Sequence, residues 1–149
     1  MATSALFTVR DADYEIDLPH LRTIRDLVFV IEQKVPIELE RDAIDGSCHH
    51  VLAFDKQQNP IGTGRLTPEH TIGRMAVLAK WRGQGVGDAL VRHLIAKASA
   101  LGWPSVSLHA QTSAIGFYLK HGFQVFGPEY EEAGILHQSM SLRLNNDGN

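Results

Sequence analysis

Gly73-Arg74-Met75-Ala76-Val77-Leu78-Ala79-Lys80-Trp81-Arg82-Gly83-Gln84-Gly85-Val86-Gly87-Asp88-Ala89-Leu90 carries several patterns in succession. A short apolar run ends at Leu78, a turn follows around Lys80 and Trp81, glycines recur at every second position from Gly83 to Gly87, and helical periodicity then begins. The order is strand, glycine loop, helix. Such a helix leaves its first amide N–H groups without intrahelical partners, with the positive end of the helix dipole behind them, and a phosphate or pyrophosphate fits there. Gly83, Gly85 and Gly87 lack a Cβ, so the pattern predicts close approach of an anion to the backbone and positive φ angles without steric cost. Arg82 adds a forked, charged donor beside the amides. The competing reading is a glycine-rich surface turn with a solvated arginine; a strand before and a helix after favour the anion site.

Two familiar nucleotide loops fit poorly. A Walker-type loop needs Lys then Ser or Thr after its last glycine, whereas Asp88 and Ala89 follow Gly87. A dinucleotide fingerprint wants an acidic residue at the end of the next strand, and the next apolar run, Ser105-Val106-Ser107-Leu108-His109-Ala110, ends without one.

The rest of the chain bounds the setting. With 149 residues, 44% of them hydrophobic, it suits one domain, residues 1–149, around one core. A net charge of −3 gives no basic footprint for nucleic acid or an anionic membrane. One cysteine cannot form an internal disulfide, which fits a reducing cytoplasm. Met1 to Leu6 shows no leader pattern, and no apolar run approaches the length of a spanning helix, so the expectation is a cytoplasmic protein without a membrane partner.

In chain order, Leu6 to Val9 reads as a first strand. Leu21, Ile24, Leu27, Val28 and Ile31 form a buried helical stripe capped by Asp17 and stopped before Pro36. Glu38 to Asp45 reads as a solvated charged face. Val51 to Phe54 and Ile61 to Leu66 are strands of a hairpin. Adjacent strand residues point to opposite faces, so Cys48-His49-His50 makes a poor metal site, and none is expected. After the glycines, Val86, Leu90, Leu94, Ile95, Ala98 and Leu101 face inward, and the helix ends at Gly102. A strand from Ser105 to Ala110, a helix near Ser113 to His121 and extended runs at Phe123 to Phe126 and Ile135 to Leu144 follow. This order predicts an α/β fold with a mixed central β-sheet flanked by helices.

Arg82-x-x-Gly85-x-Gly87 after an apolar strand resembles the acyl-CoA loop of the GCN5-related N-acetyltransferases, the GNAT family. Downstream, Ala114-x-x-Phe117-Tyr118-x-Lys120-x-Gly122-Phe123 is similar to that family's following helix and its Gly-Phe exit, at the family's spacing. Val28-Phe29-Val30-x-Glu32-Gln33-x-Val35-Pro36, His109-Ala110-Gln111 and Glu132-Ala133-Gly134-Ile135-x-His137-x-x-Met140 resemble a small bacterial subgroup. The resemblance covers nearly the whole chain. It implies that the strands at Met75 to Val77 and Ser105 to Ala110 run parallel and splay into an acyl-CoA wedge. It places Met75, Ala76 and Val77 on the pantetheine and thioester of acetyl-CoA, and Arg82, Gly83, Gln84, Gly85, Val86 and Gly87 on the pyrophosphate. It also puts Phe29 and Glu32 near the acceptor pocket, makes Tyr118 the proton donor to the leaving thiol, and makes Gln111 a cofactor contact where many members have Asn.

No carboxylate base lies between Ile72 and Leu78, so the base is elsewhere or is water; His109 and His137 are the candidate side chains, with structural histidines as the alternative. Glu129, Glu131 and Glu132 suit a cationic amine at the acceptor mouth, or a solvated surface. The expected activity is acetyl transfer from acetyl-CoA to the amine of a small molecule or an aminoacyl group, with a homodimer as an admissible assembly. The rivals are an acyltransferase like an acyl-homoserine lactone synthase, and a CoA-binding regulatory module without catalysis.

Overall fold

A computed structural model describes residues 6–144; the leader reading at Met1 to Ala5 lies outside them. Strand β1 (Phe7–Ala12) leads into helix α1 (Tyr14–Arg25), which runs directly into a π-helix at Asp26–Glu32. A short helix α2 (Ile37–Glu40) precedes the meander β2 (His49–Asp55), β3 (Pro60–Leu66) and β4 (Thr71–Val77). Helix α3 (Val86–Ala100), strand β5 (Ser105–Gln111), helix α4 (Ile115–Lys120) and strands β6 (Gln124–Glu132) and β7 (Ile135–Arg143) complete the order. All strands join one seven-stranded sheet in the order β1-β2-β3-β4-β5-β7-β6. Only β4 and β5 pair in parallel; the other pairings are antiparallel.

Strand β2 shows why both faces are covered. Val51 and Ala53 pack into a cluster with Val86, Leu90 and Leu94 of α3, while Leu52 and Phe54 meet Leu21 and Ile24 of α1. Successive side chains point to opposite faces, so a strand buried on both sides reads as an unbroken apolar run. Helix α3 buries Val86, Leu90, Val91, Leu94 and Ala98. Leu101, expected inward, is exposed because it is the C-cap residue, where the helical repeat has already stopped and Gly102 turns the chain at φ 81°.

Three readings of the elements are corrected. The N-cap of α1 is Asp13, whose carboxylate accepts from Ile16 N; Asp17 lies inside the helix, buried and paired with Arg10 at 2.9 Å. The stripe Leu21, Ile24 and Val28 is buried, but Leu27 and Ile31 are 43% and 64% exposed. Beyond Arg25 the turns widen to the i→i+5 pattern, Gln33 N donating to Val28 O at 3.0 Å, so spacing by three and four no longer follows one face. The expected strand at Phe123 to Phe126 begins at Gln124 and extends to Glu132, because its N-terminal and C-terminal parts both pair with β7.

The largest correction concerns Glu38 to Asp45. Glu40 and Asp45 are buried, and they hold arginines from three other elements. Arg25 Nε donates to Glu40 Oε2 at 2.6 Å and its Nη1 to Asp45 Oδ2 at 3.0 Å. Arg65 bridges Asp45 at 2.9 Å and Asp42 at 2.7 Å, Arg74 reaches Asp42 at 3.1 Å, and Arg41 pairs with both Glu40 and Asp26. Composition alone made this segment look solvated, whereas each carboxylate that goes inside does so with a cation.

Because Arg25 is 1% exposed and bonds two buried carboxylates, removing it leaves Glu40 with Arg41 and Asp45 with Arg65, each short of one cation in a buried network. Arg25→Met should cost about 3–5 kcal/mol in urea unfolding. A loss below about 1 kcal/mol would show that water replaces the guanidinium there.

Candidate active site

The site begins where β4 leaves β5. Their parallel pairing covers only Thr71 with Ser107 and Ile72 with Leu108. On the other side of β4, Gly73 pairs with Arg65 and Ala76 with Thr63, so Arg74 and Met75 stand opposite Gly64 alone. This is a β-bulge, and it bends the strand that contains it. Arg74 takes a left-handed φ of 51° at that point. Leu78 N donates to Ile61 O at 2.9 Å, so the alternation of the ladder turns the polar groups of Ala76 toward β3 and those of Met75 and Val77 toward the opening wedge.

A cavity of about 480 Å³ fills this wedge, with Phe29, Gln33, Met75, Ala110, Gln111, Ala114, Tyr118 and His137 among its lining residues. Met75 thus stands at an open strand edge, where an extended ligand could pair as an added strand does, while the Val77 carbonyl on that edge is taken by Arg82 Nε. Ala76 keeps its side chain buried in the α1 face of the core.

Beyond β4, the loop and α3 supply the expected amides. Gly83 and Gly85 take φ 77° and 88°, and Gly85 caps α3 without any side-chain hydrogen bond to the helix start. Ala89 N is bonded to Gly85 O at 3.1 Å, which leaves the preceding amides of the first turn for an anion. Val86 is buried at the start of α3, and Gln84 folds back so that its Nε2 donates to Lys80 O at 2.9 Å. Gly87 differs from the expectation of a positive φ: it lies in the helix, and a Cβ there would meet the Phe117 ring at 3.4 Å. Its lack of a side chain serves the packing of α3 on α4.

Arg82 sits at the loop with both edges of its guanidinium engaged. Its Nη1 and Nη2 each donate to Glu32 at 2.7 Å, and its Nε donates to Val77 O at 2.9 Å. The hydrogen-bonded guanidinium holds the Glu32 carboxyl below its ordinary range. Any anion that engages Arg82 has to compete with Glu32 for it. Gln111 similarly ties β5 to the end of the π-helix, its Nε2 donating to Gln33 Oε1 at 3.0 Å.

Tyr118 is 8% exposed, its ring edge-on to Phe117 and Phe123, and its hydroxyl has no hydrogen-bond partner among the described residues. Burial pushes its pKa up to about 12, so the phenol stays protonated. His137 and His109 both line the cavity in different states of engagement. His137 Nδ1 lies 2.8 Å from Ile135 O, a carbonyl that can only accept, so Nδ1 carries a proton and in the neutral ring the lone pair falls on Nε2. His109 Nδ1 is instead held by the Tyr130 hydroxyl at 2.7 Å. Glu132 lines the cavity, whereas Glu129 and Glu131 lie exposed along β6 and outside its lining.

Sequence reasoning assigned no role to Glu40, Arg65 and Arg74, which line the same cavity. Arg74 stood inside the glycine-loop segment, but nothing in its neighbours signals a bulge. Cys48 and His50 are used elsewhere: the Cys48 thiol donates to Ile44 O at 3.4 Å, and His50 Nε2 meets Asp45 O at 2.8 Å.

Comparison with known proteins agrees with this geometry. The family model described as Acetyltransferase (GNAT) domain matches residues 26–144. The uncharacterized N-acetyltransferase YjcF of Bacillus subtilis is 37% identical over 121 residues, 78% of this chain and 86% of that protein. A putative N-acetyltransferase from Lactobacillus plantarum superposes with a TM-score of 0.84 at 25% identity, over 94% of this chain and 99% of that one. An acyl-CoA N-acyltransferase from Pseudomonas aeruginosa gives 0.80 at 30% identity, over 91% and 99%. The chain belongs to the GNAT acetyltransferase family and is an acyltransferase, with an acyl-CoA as its cosubstrate.

Gly85 offers the cleanest probe of the loop, since a Cβ there meets nothing within 4 Å while φ stays at 88°. Gly85→Val should fold but abandon that backbone conformation, which a β-branched residue adopts at high cost. Acetyl-CoA should then no longer raise the melting temperature; an undiminished shift in the folded variant would remove the loop from the binding site.

Proposed function

We infer that the chain is a single-domain, acetyl-CoA-dependent N-acetyltransferase that passes acetyl directly to the amine of a small molecule or aminoacyl group. The observation that supports this reading is the meeting, in one cavity, of the open β4 edge, the unpartnered Tyr118 hydroxyl and a histidine with a free lone pair. Acetyl-CoA supplies the thioester carbonyl and the thiol leaving group. Met75 and Val77 offer backbone N–H groups toward the wedge for the developing oxyanion. His137 Nε2 takes the proton that the attacking amine must lose.

Tyr118 acts on the departing sulfur. A phenol raised to about 12 is a weaker acid than a thiol of about 8.5, so complete proton transfer to the thiolate runs uphill. Donation of a hydrogen bond is the role that fits, because it stabilises charge on sulfur without giving up the proton. No covalent acetyl-enzyme is invoked: Cys48 is the single cysteine of the chain, its thiol is pushed up by burial, and it lies outside the lining of the cavity.

Tyr118→Phe keeps the ring packing and removes one donor, so kcat should fall about 10²–10³-fold with acetyl-CoA affinity nearly unchanged. Comparable kcat values in the two proteins would take Tyr118 out of the reaction. His137→Gln should lower kcat/KM by about 10²–10⁴-fold in steady-state assays with the best amine. If His109→Gln caused that loss and His137→Gln did not, the base would be His109.

A further inference from the structure

On the assumption that the wedge is an N-acetyltransferase site, the acceptor end of the cavity has a charge pattern of its own. Arg74, Arg65 and Glu40 form one wall, while Glu132 and His137 also line the cavity. Glu40 is already held by Arg25 and Arg41, and Asp42 by Arg65 at 2.7 Å. Arg74 is thus added to carboxylates that other arginines have claimed. It shares one nitrogen, Nη2, among Leu39 O, Glu40 O and Asp42 Oδ2 at 3.3, 3.1 and 3.1 Å. Its Nε is buried without a hydrogen-bond partner, Glu40 Oε2 lying 3.5 Å away, and no hydrogen bond from its Nη1 is found among the described residues.

Several features indicate that this guanidinium is held for a ligand. The left-handed φ of 51° costs a non-glycine residue free energy, and it sets Arg74 at the bulge that opens the wedge. Burial, together with repulsion from Arg65 and Arg25, lowers its pKa despite Asp42 and Glu40, the signature of a cation short of negative charge. Arg65 Nε, in the same wall, is also buried and unpartnered. Glu40 and Asp42 stand close enough to penalise a dianion more than a monoanion. A single carboxylate meets these demands, since it pairs with guanidinium through charge-assisted hydrogen bonds.

We propose that Arg74 forms a carboxylate subsite, so that the amine this chain acetylates carries a carboxylate group, as a free amino acid does. The anionic end of the acceptor lies on Arg74, and its amine is presented to His137 and the β4 edge. Glu132 favours the ammonium form on entry; the ammonium gives one proton to solvent before attack, and His137 receives the second when the amine has added to the thioester.

Matched acceptors test this on the intact protein. Free amino acids, their methyl esters, the corresponding decarboxylated amines, aminophosphonates, a polyamine, an arylamine and a lysine peptide are assayed with acetyl-CoA for kcat/KM. The wild type should prefer at least one amino acid over its methyl ester by about 10- to 100-fold. In Arg74→Gln this ratio should collapse toward one, while Arg74→Lys should retain part of it. The ratio cancels any general loss of active protein, and if Arg74→Gln does not fold, the wild-type ratio and Arg74→Lys decide. Equal use of acids and esters, a ratio unmoved by Arg74→Gln, or preference for aminophosphonates overturns the carboxylate subsite. Acetylation confined to the polyamine, arylamine or lysine peptide overturns it too, leaving the N-acetyltransferase reading intact. Acetylation of none of them, with acetyl-CoA still bound, overturns that reading and the subsite together.

Discussion

A strand that parts from its parallel neighbour leaves backbone N–H and C=O groups facing empty space, and these groups need partners. In this chain β4 does so immediately after Ile72, and everything at the site is arranged around the consequence. On its other side β4 stays fully engaged with β3, apart from the bulge at Arg74 and Met75, so the strand is held firmly while its free edge remains open. The loop that continues from β4 delivers the start of α3 next to that edge. One continuous piece of backbone thus presents an open strand edge and, next to it, the unpaired first-turn amides of a helix.

One wall of the wedge, where Glu40, Arg65 and Arg74 line the cavity, is built from charge. The segment from Ile37 to Ser47 has little apolar material to bury, yet it is fastened to α1, β3 and β4 through Arg25, Arg65 and Arg74. Such networks contribute little net stability compared with apolar packing, but breaking one member exposes the rest to unpaired burial. Their geometry is specific, which is what a binding wall needs. The π-helix ends beside this wall, and its Glu32 and Gln33 reach across to Arg82 and Gln111. These two contacts couple the end of the π-helix to the glycine loop and to the end of β5, so a ligand that draws Arg82 away from Glu32 also changes what holds the π-helix.

The order of elements was legible because hydrophobic periodicity is a local property. Strand, glycine loop and helix followed one another from Thr71 to Ala100 as their spacing indicated, and Ser105 to Gln111 read as a strand for the same reason. Side-chain chemistry at single positions was legible too: Tyr118 as a phenol on the short last helix, and His137 as an imidazole on the final strand. Gly85 owed its place to a backbone angle that the residue type announces.

What sequence could not decide was everything that depends on partners distant along the chain. Glu40 and Asp45 looked solvated because Arg25, which bonds both of them inside the protein, lies 15 or more residues away. Leu27 and Ile31 looked buried because a repeat of three and four presumes α-helical turns, and the π turns after Arg25 are not written in the apolar pattern. Arg74 looked like any strand residue, since a bulge is a mismatch between two strands and belongs to neither alone. By itself the sequence determined the elements, the glycine loop and the titratable groups available, all set by local conformational preference. The tertiary structure alone decided which groups face the wedge, which are neutralised by partners and which remain free, because pairing and burial are properties of assembled space.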